Sequence, residues 1–141
     1  MNPEELCLEL ALKAKNLNEV PVGCVVVKNG LIISKAHNQV ETLKDPTAHA
    51  EMIALKGAFK AAGSKYLTDC EVYVSLEPCP MCAWALALAR VKKVVFLALD
   101  ERRGGIISNW GLLDETSTKW EYKPIMLASS LISEFFKSLR V

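Results

Sequence analysis

The chain of 141 residues has almost no net charge: 17 lysines and arginines against 16 acids leave +1. A dedicated nucleic-acid binder carries a clear basic excess or stripe. Attraction to phosphate must therefore come from local groups, such as Lys92-Lys93, Arg102-Arg103 and the Lys137–Arg140 end. Such groups are more often simply a solvated face. No apolar run approaches the roughly 20 residues that cross a bilayer, which excludes a membrane-spanning helix. The start, Met1-Asn2-Pro3-Glu4-Glu5, lacks the basic segment and apolar core of a secretory signal, so a cytoplasmic location is expected. No repeat, low-complexity tract or linker breaks the chain, and residues 1–141 read as one domain. The five cysteines form no regular framework, and in an odd number they read as reduced thiols plus a metal pair. A hydrophobic share of 51% with 23% charged residues is ordinary globular composition, which argues against disorder.

The apolar spacing of Leu6, Leu10 and Ala14 predicts a helix over Pro3–Lys15, with Pro3 in its first turn. Valine-rich Val20–Lys28 and Leu31-Ile32-Ile33 flank Asn29-Gly30, a strong hairpin signal. Asp45-Pro46-Thr47 is expected to open a second helix, which Gly63 stops near Ala62. Strands are expected at Cys70–Leu76 and Lys93–Leu99, with an alanine- and leucine-rich helix at Cys79–Arg90 between them. That alternation argues for a parallel pair crossed over by a helix. Asp100–Trp120 reads as a loop with a short helical piece, followed by a strand near Tyr122–Leu127 and an amphipathic helix over Ser129–Leu139. The sum is a three-layer α/β/α sandwich around a mixed five-stranded sheet.

Chemistry concentrates in two short pieces, His49-Ala50-Glu51 and Pro78-Cys79-Pro80-Met81-Cys82. One imidazole and two thiolates can supply three of zinc's four tetrahedral ligands, and an open fourth position marks a catalytic site. Cys79 and Cys82 are three residues apart at a helix start, where the partial positive charge favours thiolates. If both helices follow strands of one sheet, their N-termini can converge on a single cavity. Two thiolates cancel the formal charge of Zn²⁺, so a neighbouring base becomes useful, and Glu51 fits that role. Cys70, at a strand start, reads as a buried thiol rather than a fourth ligand, and Cys7 and Cys24 read as core. His37 reads as a structural histidine. The pattern H-x-E…P-C-x-x-C is that of zinc-dependent nucleobase deaminases.

The segments Glu19-Val20-Pro21-Val22-Gly23, Asn38, Asp45 to Glu51, Leu76 to Cys82 and Val94-Val95-Phe96 resemble the bacterial tRNA-specific adenosine deaminases, within the cytidine and deoxycytidylate deaminase superfamily. The similarity runs from about Leu6 to Arg140. It implies conversion of adenosine to inosine at the wobble position of a tRNA anticodon stem-loop, by a homodimer holding one zinc ion per subunit. It further implies His49, Cys79 and Cys82 as metal ligands and Glu51 as catalytic proton shuttle. Asn38 and Asp100 match positions that bind the substrate and its flanking nucleotides. No DNA partner is expected. Trp84 and Leu97 stand where the family usually has glycine, and the Asp100–Ile107 loop matches its counterpart only loosely. Trp110 and Trp120 could stack on splayed bases or fill a core or dimer seam. The alternative function is deamination of a free base, nucleoside or small heterocycle, favoured by the near-neutral charge and Trp84. A third is a non-catalytic module holding zinc for folding, which would have no use for Glu51.

Overall fold

The computed structural model describes residues 2–139; Arg140, the last residue of the basic end and of the family-like closing segment, lies outside them. Helix α1 (Pro3–Asn16) begins where the Asn2 side chain accepts the Glu5 N–H at 2.8 Å, with Pro3 inside the first turn. Strands β1 (Gly23–Lys28) and β2 (Leu31–His37) pair antiparallel across Asn29-Gly30, whose φ values of 50° and 78° suit a tight hairpin turn. After a one-turn helix α2 (Val40–Leu43) comes α3 (Ala50–Ala62), closed by Gly63 at φ 62°. Strand β3 (Cys70–Val74), helix α4 (Pro80–Leu88) and strand β4 (Lys93–Phe96) form the anticipated parallel crossover. Strand β5 (Lys119–Tyr122) and helix α5 (Met126–Ser138) complete the chain.

The sheet order is β2-β1-β3-β4-β5, antiparallel on one side of β3 and parallel on the other. This is the expected mixed five-stranded sheet. Alternation along each strand decides which helices cover which face. Cys24, Val26, Val72, Val74, Val94 and Phe96 pack with Leu55 and Ala58 of α3 and Leu86 of α4. Val25 and Val95 point the other way, onto Cys7 and Leu10 of α1 and Ala128 of α5. A Cβ on Gly23 would collide with the Cys7 carbonyl oxygen, so glycine there lets α1 lie close against β1.

Several element ends shift by a few residues, and four departures from expectation have a clear physical cause. The second long helix starts at Ala50, not Asp45, because the Asp45 carboxylate accepts the Thr47 N–H at 2.8 Å and its hydroxyl at 2.7 Å, folding those residues into a turn. Helix α2 was not anticipated, and a distant carboxylate described below caps it. The Asp100–Trp120 segment contains turns and bends but, among the described residues, no helical piece. The last strand lies at Lys119–Tyr122 rather than Tyr122–Leu127, since Pro124 has no N–H to extend the ladder and α5 already begins at Met126. Both β2 and β3 run antiparallel to β1, so they point the same way. Helices α3 and α4, which follow them, therefore begin at the same edge.

Candidate active site

His49 is the N-cap residue of α3 and Cys79 that of α4, each in extended backbone with no side-chain capping bond. Their side chains are thus free to turn outward from the two helix starts. Cys82, one turn into α4, is fully buried. His49 Nδ1 lies 3.6 Å from Cys79 Sγ and 3.5 Å from Cys82 Sγ, and all three atoms fall within 4.8 Å of one another. Donors about 2.0–2.3 Å from a common tetrahedral ion stand about 3.6 Å apart, so the donor set and its spacing fit zinc. Cys70 is buried at the far end of β3 and takes no part.

The electrostatics of this cluster follow from burial and contact. The hydrogen bond from Cys82, helped by His49, draws the Cys79 thiol well below the usual thiol range, while Cys82, as the donor, is pushed up. The bond to Cys79 in turn raises His49. Glu51, in the first turn of α3, is 5% exposed, and burial pushes its carboxyl up to about 7. An acid titrating near neutrality can both accept and return a proton.

Asn38 follows β2 at the same edge, beside the His49 loop, where the next residue, Gln39, donates its N–H to the Ala48 carbonyl at 3.0 Å. It is 5% exposed, and among the described residues its Oδ1 has no partner. A buried acceptor left unpaired is costly, and a ligand donor would relieve it. Asp100 follows β4, half-buried, and its Oδ1 accepts the Arg103 N–H at 3.1 Å. A Cβ on Gly105 of the same loop would stand 3.3 Å from the Cys79 carbonyl carbon, which sets this loop beside the centre. His37 Nδ1 lies 2.9 Å from the Asn38 carbonyl oxygen, as suits a structural histidine. Trp84, Trp110 and Trp120 are all exposed, and the Trp120 ring also lies 6.1 Å from that of Phe96. Lys93 is paired with Glu121 at 2.6 Å, which leaves it little to offer a phosphate.

Two buried carboxylates were given no role by the sequence reading. Glu19 is fully buried and accepts the Glu41 N–H at 3.0 Å, the Thr42 N–H at 2.6 Å and the Thr42 hydroxyl at 2.7 Å, capping α2. Glu77 takes five hydrogen bonds from the 100–108 loop. The available signal was an acid set among apolar and proline neighbours, in Glu19-Val20-Pro21 and Leu76-Glu77-Pro78. In both, burial would raise the carboxyl, but the hydrogen bonds outweigh it and the pKa is lowered.

A three-layer α/β sandwich with His, Cys and Cys at two helix starts and a buried glutamate beside them defines a zinc-dependent deaminase domain. Residues 4–98 match the cytidine and deoxycytidylate deaminase zinc-binding region. The chain is 55% identical to the tRNA-specific adenosine deaminase of Aquifex aeolicus, across 96% of this chain and 93% of that protein. Among solved structures, a tRNA A34 deaminase studied for A-to-I editing superposes with a TM-score of 0.84 at 33% identity, covering 93% of this chain and 96% of the other. A guanine deaminase from Bacillus subtilis superposes with a TM-score of 0.66 at 44% identity, over 70% of this chain and 66% of that one. The chain belongs to the tRNA-specific adenosine deaminases of the cytidine and deoxycytidylate deaminase family.

Proposed function

We propose that this chain, as one domain over residues 1–141, hydrolyses adenosine to inosine at the wobble position of a tRNA anticodon stem-loop. The observation that carries this is similarity to a tRNA-specific adenosine deaminase along nearly the whole length of both chains, supported by the His49, Cys79 and Cys82 ligand atoms lying within 4.8 Å of one another. His49, Cys79 and Cys82 hold zinc. Bound there, the ion lowers the pKa of water and supplies a nucleophile near neutral pH. Glu51 takes the proton from the attacking water and passes it to a ring nitrogen. It then takes the second proton from the hydroxyl now on the ring carbon and gives it to the departing amine, so that the carbonyl forms, the C–N bond breaks, water is consumed and ammonia leaves. The free Oδ1 of Asn38 accepts a hydrogen bond from the substrate nucleotide, and Asp100 stands by the flanking nucleotides. An adenosine in a hairpin loop is already unpaired, so no duplex needs to be melted.

We further infer a homodimer in the cytoplasm. Met81, Trp84 and Leu88 form an exposed apolar stripe on α4, spaced to lie on one helix face. A second copy of this chain is the occupant we assign to it, as the resemblance to the family implies.

The test is inosine detection on a panel of anticodon stem-loops beside free adenosine, cytosine and guanine, with and without chelator. Stem-loop turnover that vanishes with chelator and falls as salt rises is expected, since phosphate contacts release counterions. Equal rates on free bases or nucleosides, indifferent to salt, would favour the free-base deaminase instead.

A further inference from the structure

Glu77 lies two residues before Cys79, is 2% exposed and touches none of the reacting groups. Its Oε1 accepts the Asp100 N–H at 3.2 Å and the Ser108 hydroxyl at 2.5 Å. Its Oε2 accepts the N–H groups of Ile106, Ile107 and Ser108 at 3.1, 2.8 and 2.9 Å. The loop is shaped to this anion. A Cβ on Gly104 would collide with the Glu77 carboxylate, and one on Gly105 would press on Pro80 at 3.1 Å. The Gly105 N–H donates to the Pro78 carbonyl at 2.8 Å, and the Glu77 N–H to that of Ala98 at 2.8 Å. The segment therefore has no regular structure of its own and is wrapped around one side chain. It carries Asp100, Arg102 and Arg103, and Gly105 within it lies against the Cys79-Pro80 backbone.

We propose that Glu77 is a positioning residue for the RNA: its buried carboxylate gathers the N–H groups of the 100–108 loop and so sets where Asp100 and Arg103 stand at the mouth of the zinc centre. This rests on the function proposed above. A carboxylate offers acceptors only, so it suits four converging N–H groups and a hydroxyl. A carboxamide would turn an NH₂ against some of them. The loop would loosen while the metal ligands, held by α3 and α4, stay in place.

The experiment compares wild type, Glu77→Gln and Glu77→Asp, using zinc content, amide hydrogen exchange and steady-state kinetics on an anticodon stem-loop. In Glu77→Gln, zinc per chain should match wild type, and the Ile106–Ser108 amides should exchange at least about tenfold faster. KM for the stem-loop should rise about tenfold, with kcat at saturation changed by less than about threefold. Glu77→Asp keeps the charge on a shorter arm and should fall between the two, which covers the case in which the glutamine variant does not fold. Unchanged exchange and KM would overturn the proposal, as would loss of zinc or a fall in kcat alone, each of which would place Glu77 in the metal site instead. If wild type itself did not turn over the stem-loop, the proposed function would fail, and amide protection would still decide whether Glu77 holds the loop.

Discussion

His49 and Cys79 sit where helices begin at the ends of parallel-running strands, whereas the 38–48 and 100–108 segments beside them owe their shape to Glu19 and Glu77. The floor of the site inherits its rigidity from the sheet: α3 and α4 pack on it through Ala54, Leu55, Ala83 and Leu86. The walls have no long regular element of their own, and each is gathered around one buried anion besides a few backbone bonds to the fold. A floor fixed by packing can keep one chemistry, while walls fixed by a few hydrogen bonds set what that chemistry reaches.

The largest effect that would break this comparison concerns the floor. Cys79→Ser should lose zinc and, with it, all measurable deamination, together with several degrees of Tm, because metal binding is folding free energy. Metal analysis and thermal melts check this, and an active variant that holds no zinc would refute the ligand assignment. Glu51→Gln should bind zinc normally and lose about 10²–10⁴ in kcat, the usual share of a general acid–base. Normal turnover in that variant would remove Glu51 from the mechanism.

The walls should answer more gently. Gly104→Ala forces a methyl group against the Glu77 carboxylate and should cost about 1–3 kcal/mol, an overpacking penalty read by urea unfolding. Glu19 sharpens the same contrast through pH. Burial alone would raise its carboxyl, but bonds from Thr42 and Glu41 lower it below the ordinary value of 4.5. A group with a lowered folded pKa stabilises above its unfolded pKa and loses that contribution as pH falls through the folded one. Wild type should therefore lose stability below about pH 4.5 partly through Glu19, and Glu19→Gln should be less stable at pH 7 but flatter on the acid side. Parallel acid limbs in the two proteins would show that the carboxylate is not what holds α2. Smallest for chemistry is Trp84→Glu: it should shift the chain toward monomer in sedimentation while leaving zinc content unchanged.

The floor was legible in the sequence because its information is local. His-x-Glu and Cys-x-x-Cys each sit within one turn of chain, and strand–helix alternation fixes which edge both helix starts share. The walls were not legible for the opposite reason. Glu77 meets Ile107 thirty residues on and Glu19 meets Thr42 twenty-three residues on. No periodicity marks such pairs, and the loop amides they bind belong to no regular element. Helix α2 was missed for that reason, and the loop expected over Asp100–Trp120 lacks its short helical piece among the described residues, the N–H groups of 106–108 turning inward to Glu77.

By itself the sequence determined the family, the reaction class and the long strands and helices, and it singled out the residues proposed as metal ligands and proton carrier, since each is written in residue types at short spacing. Only the tertiary structure decided that Asn38 keeps a buried oxygen unpaired among the described residues, that Trp120 leans on Phe96 while staying exposed like Trp84 and Trp110, and that two carboxylates gather the walls. Those outcomes depend on which distant groups the packed sheet brings within hydrogen-bonding distance.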